Sequence, residues 1–132
     1  VQTCALPIFK AIPCVDANGQ PTVNQTCAVT AQTFRSCVAS GCHASETAAR
    51  AAFNSASARI TLETTQLAAL VAQAKIKKPA DFLASAPMNT GRGANFNVGL
   101  AQKSGSFVHN PYLIEQLLIA SINQIKIDYN LP

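Results

Sequence analysis

Glu46 to Lys78, ETAARAAFNSASARITLETTQLAALVAQAKIKK, decides the fold. Phe53, Ile60, Leu67 and Ala74 recur every seven residues, and Ala49, Ala56, Leu70 and Val71 fill the neighbouring positions. Alanine is the best helix former, and neither Gly nor Pro interrupts the run. The spacing predicts an amphipathic helix over residues 46 to 76. Ser45 can cap it, and Glu46 stands in the first turn, where the positive end of the helix dipole favours a negative charge. Lys75, Lys77 and Lys78 suit the other end, and Pro79 stops the helix.

Towards the C-terminus, residues 79 to 93 read as a connection rich in Pro, Asn and Gly. A short helix is predicted over Ala94 to Lys103, with Phe96, Val98, Leu100 and Ala101 as apolar contacts and Gly105 as its break. A last helix follows. Asn110 suits its N-cap and Pro111 its first position. Leu113, Ile114, Leu117, Leu118, Ile122 and Ile125 form a face wide enough to be buried. Towards the N-terminus, residues 9 to about 35 hold Pro13, Gly19 and Pro21 among Asn, Gln and Thr, and read as loop. There is no internal repeat and no strand-like alternation. The expected fold is mainly α.

The whole chain has 132 residues, a natural size for one domain. Ten Lys and Arg against six Asp and Glu give a net charge of +4. Only 12% of residues are charged and 48% are hydrophobic, which excludes a charge-rich disordered tail. The basic residues are scattered, so a nucleic-acid partner is not expected. No apolar stretch approaches the roughly 20 residues that span a bilayer. The six acids form no close pair, and Gly91-Arg92-Gly93 is too short for a phosphate-binding loop. An enzyme is not expected.

The chain starts at Val1 without Met or a signal peptide, as expected of a processed or truncated product. Val1-Gln2-Thr3-Cys4-Ala5-Leu6-Pro7-Ile8 resembles the in-frame translation of a short-read sequencing adapter at all eight positions. On that reading residues 1–8 are an artefact and Cys4 leaves the chemistry. Residues 9–132 then form a single domain, truncated at its N-terminus.

Four cysteines remain. Cys14 and Cys27 lie in the loop-rich segment with no His beside either. They read as a disulfide closing a loop of about 14 residues, worth on the order of 3 kcal/mol by chain entropy. The alternative is two separate thiols. Cys37-Val38-Ala39-Ser40-Gly41-Cys42-His43 is the chemically informative stretch. The common haem c attachment pattern is C-x-x-C-H. Two thiols must reach two vinyl groups of one porphyrin, and the adjacent His must swing under the iron. Here four residues separate the cysteines, and Ser40-Gly41 is a flexible pair that permits a looped-out path. Three other readings stand beside it. Cys37 and Cys42 could form a local disulfide. They could ligate zinc with His43, though a structural zinc takes four protein ligands. A Cys-His nucleophile is possible, though that chemistry depends on spatial rather than sequence proximity.

The C-x4-C-H form resembles the variant found in multi-haem cytochromes c. Phe34-Arg35-Ser36-Cys37 to His43, the Ala-rich helix, Gly93-Ala94-Asn95-Phe96-Asn97 and Val108-His109-Asn110-Pro111 before a last helix are similar in order to C-terminal portions of bacterial multi-haem cytochromes c. The likeness spans roughly residues 34 to 128. It implies that Cys37 and Cys42 carry the thioethers of one haem c. His43 is then the proximal iron ligand and His109 the distal one. The helix dipole would keep His109 neutral and able to bind iron. Met88, beside Pro87, is the rival distal ligand and would raise the potential. Arg92 or Lys103 would face the propionates. The chain departs from the family in carrying one such motif.

The resemblance therefore implies electron transfer to redox partner proteins or neighbouring haems. It implies a periplasmic or extracellular location, which also suits a disulfide. The porphyrin is expected between the long helix and the last helix, leaving the haem-free chain much less ordered. Two ionised propionates would lower the formal charge to about +2. The alternative class is a small secreted helical binding domain held by Cys14–Cys27 and Cys37–Cys42 disulfides, without haem.

Overall fold

The Ala-rich run folds as its spacing predicts. In the computed structural model, helix α2 spans Glu46–Lys77. The model describes residues 12–22, 26–39, 41–103, 105–106, 108 and 110–132. The other described helices are α1 (Arg35–Ala39), α3 (Thr90–Ala101) and α4 (Pro111–Tyr129), with 3-10 turns at Val29–Ala31 and Pro79–Phe82. Among the described residues, extended pairing is limited to two isolated bridges, Cys14 with Gln32 and Val15 with Pro21. The chain is mainly α with a loop-rich N-terminal segment. Its contacts divide it into two compact units, one ending at Asn54 and one spanning Ser55–Pro132.

The C-terminal unit is built on aliphatic packing. Ile60, Leu67, Leu70, Val71 and Ala74 of α2 join Ala94 and Ala101 of α3 and Ile114, Leu118, Ile122, Ile125 and Tyr129 of α4 in one buried cluster. Polar pairs set the directions. Asn97 donates to Ser121 at 2.8 Å, and Thr90 donates to Asp128. Both pairs make α3 antiparallel to α4. Arg59 meets Glu115 at 2.6 Å and Lys77 donates to the Asn130 carbonyl at 2.6 Å, so α2 and α4 run in the same direction. The region between α2 and α4, expected to hold a porphyrin, is thus packed by the protein's own side chains.

The helix starts follow local chemistry. Ser45 Oγ accepts from Ala48 N at 3.1 Å, and Asn110 Oδ1 accepts from Leu113 N at 3.0 Å. Pro111 is the first residue of α4. Asn130 ends α4 in the left-handed region at φ 48°, a C-terminal signal that a short polar side chain tolerates. Lys77 and Lys78 serve α4 rather than α2. Their amines donate to the carbonyls of Tyr129, Asn130 and Asp128, groups that have no partner within the helix.

Helix α3 departs from expectation. It begins at Thr90, four residues before the predicted Ala94, and ends at Ala101 rather than Lys103. Asn89 caps it by accepting from Arg92 N at 3.0 Å. Gly91, which reads as a breaker, is a packing residue. A Cβ there would lie 2.5 Å from Phe82 Cζ and 2.5 Å from Tyr129 Oη. Close approach of those rings offsets the roughly 1 kcal/mol that a helical glycine costs.

The N-terminal unit has a smaller apolar set: Ile12, Cys14, Phe34 and Ala49. Cys14 and Cys27 form the expected disulfide, with 6.0 Å between their Cα atoms. Around it the backbone is tied by Val15 N to Ala31 O, Thr22 N to Cys14 O and Thr33 N to Pro13 O. Asp16 closes the intervening turn by accepting from Asn18 N and Gln20 N, both at 2.9 Å.

Candidate functional site

Cys37 lies in α1, a five-residue helix that sequence reading did not anticipate. Gly41 follows in the left-handed region at φ 76°, which glycine adopts without a Cβ penalty. Two backbone bonds then fold the stretch onto itself. Gly41 N donates to Val38 O at 2.9 Å, and His43 N donates to Cys37 O at 3.2 Å. The second bond brings the backbone of His43, which follows Cys42, back to that of Cys37. Cys37 is half-buried and Cys42 exposed, and the two thiols are not joined in a disulfide. The local disulfide left open by the sequence does not form, while Cys14 and Cys27 in the same unit do pair. Among the described residues no three His, Cys, Asp or Glu side chains converge on one point.

The carboxylate that follows the loop was missed as more than a helix-dipole partner. Glu46 Oε2 accepts from Phe34 N at 3.0 Å and from Thr33 Oγ1 at 3.1 Å. Its other oxygen stands 3.4 Å from Arg35 Nε. The Phe34 amide above all, with the Thr33 hydroxyl and Arg35, lowers the Glu46 carboxyl from its ordinary value against the opposing cost of desolvation. Beside it Phe34, 1% exposed, meets the Phe53 ring edge-on at 5.5 Å. The Arg50 guanidinium lies 4.7 Å above the Phe34 ring and donates to the Gln32 carbonyl at 2.6 Å. The sequence carries no local signal for this cluster, because the cluster partners of Phe34 lie 12 or more positions away.

The other candidate residues lie in the C-terminal unit. His109 falls outside the described residues. Met88 is 72% exposed. Arg92 donates to the Ala86 carbonyl, and Lys103 is exposed. The same unit holds a polar cavity of about 360 Å³ lined by Lys78, Asp81, Asn89, Thr90, Asp128 and Tyr129. Tyr129 donates to Asp81 Oδ2 at 2.8 Å, and burial, followed by that bond, pushes its phenol up to about 12. No family model, curated protein or solved structure matches this chain.

Proposed function

We propose that the chain is an electron-transfer domain that holds one c-type haem through Cys37 and Cys42. The observation that carries this reading is the loop itself. Two thiols and an imidazole share one short segment whose ends are joined by a backbone bond, and neither cysteine enters a disulfide while Cys14 and Cys27 pair. The donor set fits the group. Each thiol would add across one vinyl, with sulfur bonding one carbon and the thiol hydrogen going to the other, so no leaving group or oxidant is needed. The haem, when bound, supplies one-electron chemistry at its iron. His43 would be the proximal ligand. His109 would be the distal ligand, with Met88 as the alternative. Arg92 and Lys103 remain candidates for the propionates. The Cys14–Cys27 disulfide supports an oxidising compartment, periplasmic or extracellular. Partners would be redox proteins or neighbouring haems. Among the described residues no helix is long and apolar enough to cross a membrane.

A pyridine haemochrome spectrum after periplasmic expression with the haem c maturation machinery tests the reading. The expected result is a covalent haem lost in Cys37→Ala/Cys42→Ala. In the oxidised haem protein, a methionine–iron charge-transfer band that survives His109→Ala would select Met88. The second reading is a secreted helical binding domain stapled by Cys14–Cys27. It is favoured by the aliphatic cluster of the C-terminal unit, which closes on its own side chains. That reading predicts a colourless protein.

A further inference from the structure

The ends of the Cys37–His43 stretch are held by one side chain. Thr33, Phe34 and Arg35 enter the loop, and Glu46 leaves it. All three contacts of the Glu46 carboxylate go to those entering residues, at 3.0 to 3.4 Å. Thr33 Oγ1 also accepts from Arg35 N at 3.3 Å, so the entering turn is itself ordered by the group that binds Glu46. Phe34 N is a donor just ahead of α1, where helix amides lack internal partners. Glu46 is also the first residue of α2. A single carboxylate thus sets the start of α1 and fixes it to the start of α2.

Ser45 does something different. Its hydroxyl caps α2 through Ala48 N and touches neither the entering turn nor α1 among its hydrogen bonds described. The two neighbours therefore separate helix capping from loop closure.

We infer that Glu46 is the positioning residue of the attachment loop, holding Cys37 and Cys42 in a preformed arrangement; the inference rests on the haem-attachment reading above. The need is physical. Four intervening residues sample more conformations than two, and each residue fixed costs about 1–2 kcal/mol of backbone entropy. Two thiols must meet two fixed points on one rigid ring. Ordering the loop beforehand removes that cost from the attachment event. The inner bonds, Gly41 N to Val38 O and His43 N to Cys37 O, shape the loop. Glu46 keeps its two ends from separating.

The test uses the full chain without haem and measures alkylation of each thiol by mass spectrometry, with amide exchange at Gly41 and His43. In the wild type, exposed Cys42 reacts faster than half-buried Cys37. Glu46→Ala should raise the Cys37 rate roughly three- to tenfold, the scale of one lost hydrogen bond, and speed exchange at His43. Glu46→Gln keeps an acceptor for Phe34 N and should fall between. Ser45→Ala should leave the thiol rates near wild type. Circular dichroism confirms that each variant is folded. Unchanged rates in Glu46→Ala overturn the inference, as does an equal rise in Ser45→Ala, which would mean general fraying of α2. After expression with the maturation machinery, Glu46→Ala should carry less covalent haem per chain than Glu46→Gln, and both less than wild type. A wild-type chain without haem overturns the attachment reading and the role given to the clamp. Unchanged thiol rates in a chain that does carry haem overturn the clamp alone.

Discussion

The two units of this chain solve the stability problem with different means. The unit Ser55–Pro132 buries a continuous aliphatic cluster drawn from α2, α3 and α4, in which Leu67 and Ile125 are wholly buried. Among the described residues, the unit ending at Asn54 buries Ile12, Cys14, Phe34 and Ala49 and is tied by a disulfide, backbone bridges and the Glu46 carboxylate. Cys37, Cys42 and His43 sit in this N-terminal unit. A loop held by a few hydrogen bonds can present thiols to solvent, whereas an aliphatic core cannot do so without exposing apolar surface.

The largest effect should come from the core. Leu118 is 1% exposed. Leu118→Ala should cost about 2–5 kcal/mol in urea unfolding followed by far-UV circular dichroism. A loss below about 1 kcal/mol would mean that the aliphatic cluster is not what holds the C-terminal unit. The disulfide comes next. Cys14→Ser/Cys27→Ser should remove about 3 kcal/mol by chain entropy. The loss should appear as faster amide exchange over residues 26–39, with the amides of α4 unchanged. Equal acceleration in α4 would erase the contrast between the units. Gly91→Ala should follow at about 1–3 kcal/mol, because its Cβ would lie 2.5 Å from two aromatic side chains. Pairing it with Tyr129→Phe, which deletes one of the two contacted atoms, should recover part of that loss.

Which of these features could be read from the sequence depends on how local their causes are. Most of the buried face of α2 was legible residue by residue, Phe53 being only half-buried. Ala49, Ala56, Ile60, Leu67, Leu70, Val71 and Ala74 are all buried, because helical period alone sets them. The caps at Ser45 and Asn110 were legible for the same reason: each partner lies three residues away. The start of α3 was not. Gly91 and Gly93 carry a local signal against helix, and the packing that outweighs it at Gly91 comes from Phe82 and from Tyr129, 38 positions on. Helix α1 was missed because it is short and the amide just ahead of it, Phe34 N, is satisfied by Glu46 from outside the segment. The Cys37-to-His43 stretch stood out by composition, yet its closed shape depends on bonds that spacing does not reveal. The lysines at the end of α2 were legible as a helix-terminal cluster, but the helix end that Lys77 and Lys78 serve belongs to α4.

The smallest effect separates the units by sign. Glu46 is held below its ordinary value by the Phe34 amide, so its bonds stabilise the N-terminal unit at neutral pH and are lost as pH falls through that lowered value. Glu63 in the C-terminal unit is the reverse case. Its Oε2 is buried without a hydrogen-bond partner. Burial, and next the neighbouring Glu115, push its carboxyl up, with Arg59 pulling the other way. The folded state therefore binds a proton at Glu63 more tightly than the unfolded chain does. Ionisation at pH 7 costs stability, and that cost fades as pH falls through the raised value. Glu63→Gln should stabilise the chain at pH 7 by up to about 1 kcal/mol and by progressively less in acid. Thermal unfolding of both proteins across pH 3 to 7 gives the difference directly, on the usual carboxylate scale. Destabilisation by Glu63→Gln at pH 7 would mean that Arg59, which already holds Glu115 through two bonds, gains more from Glu63 than burial takes away.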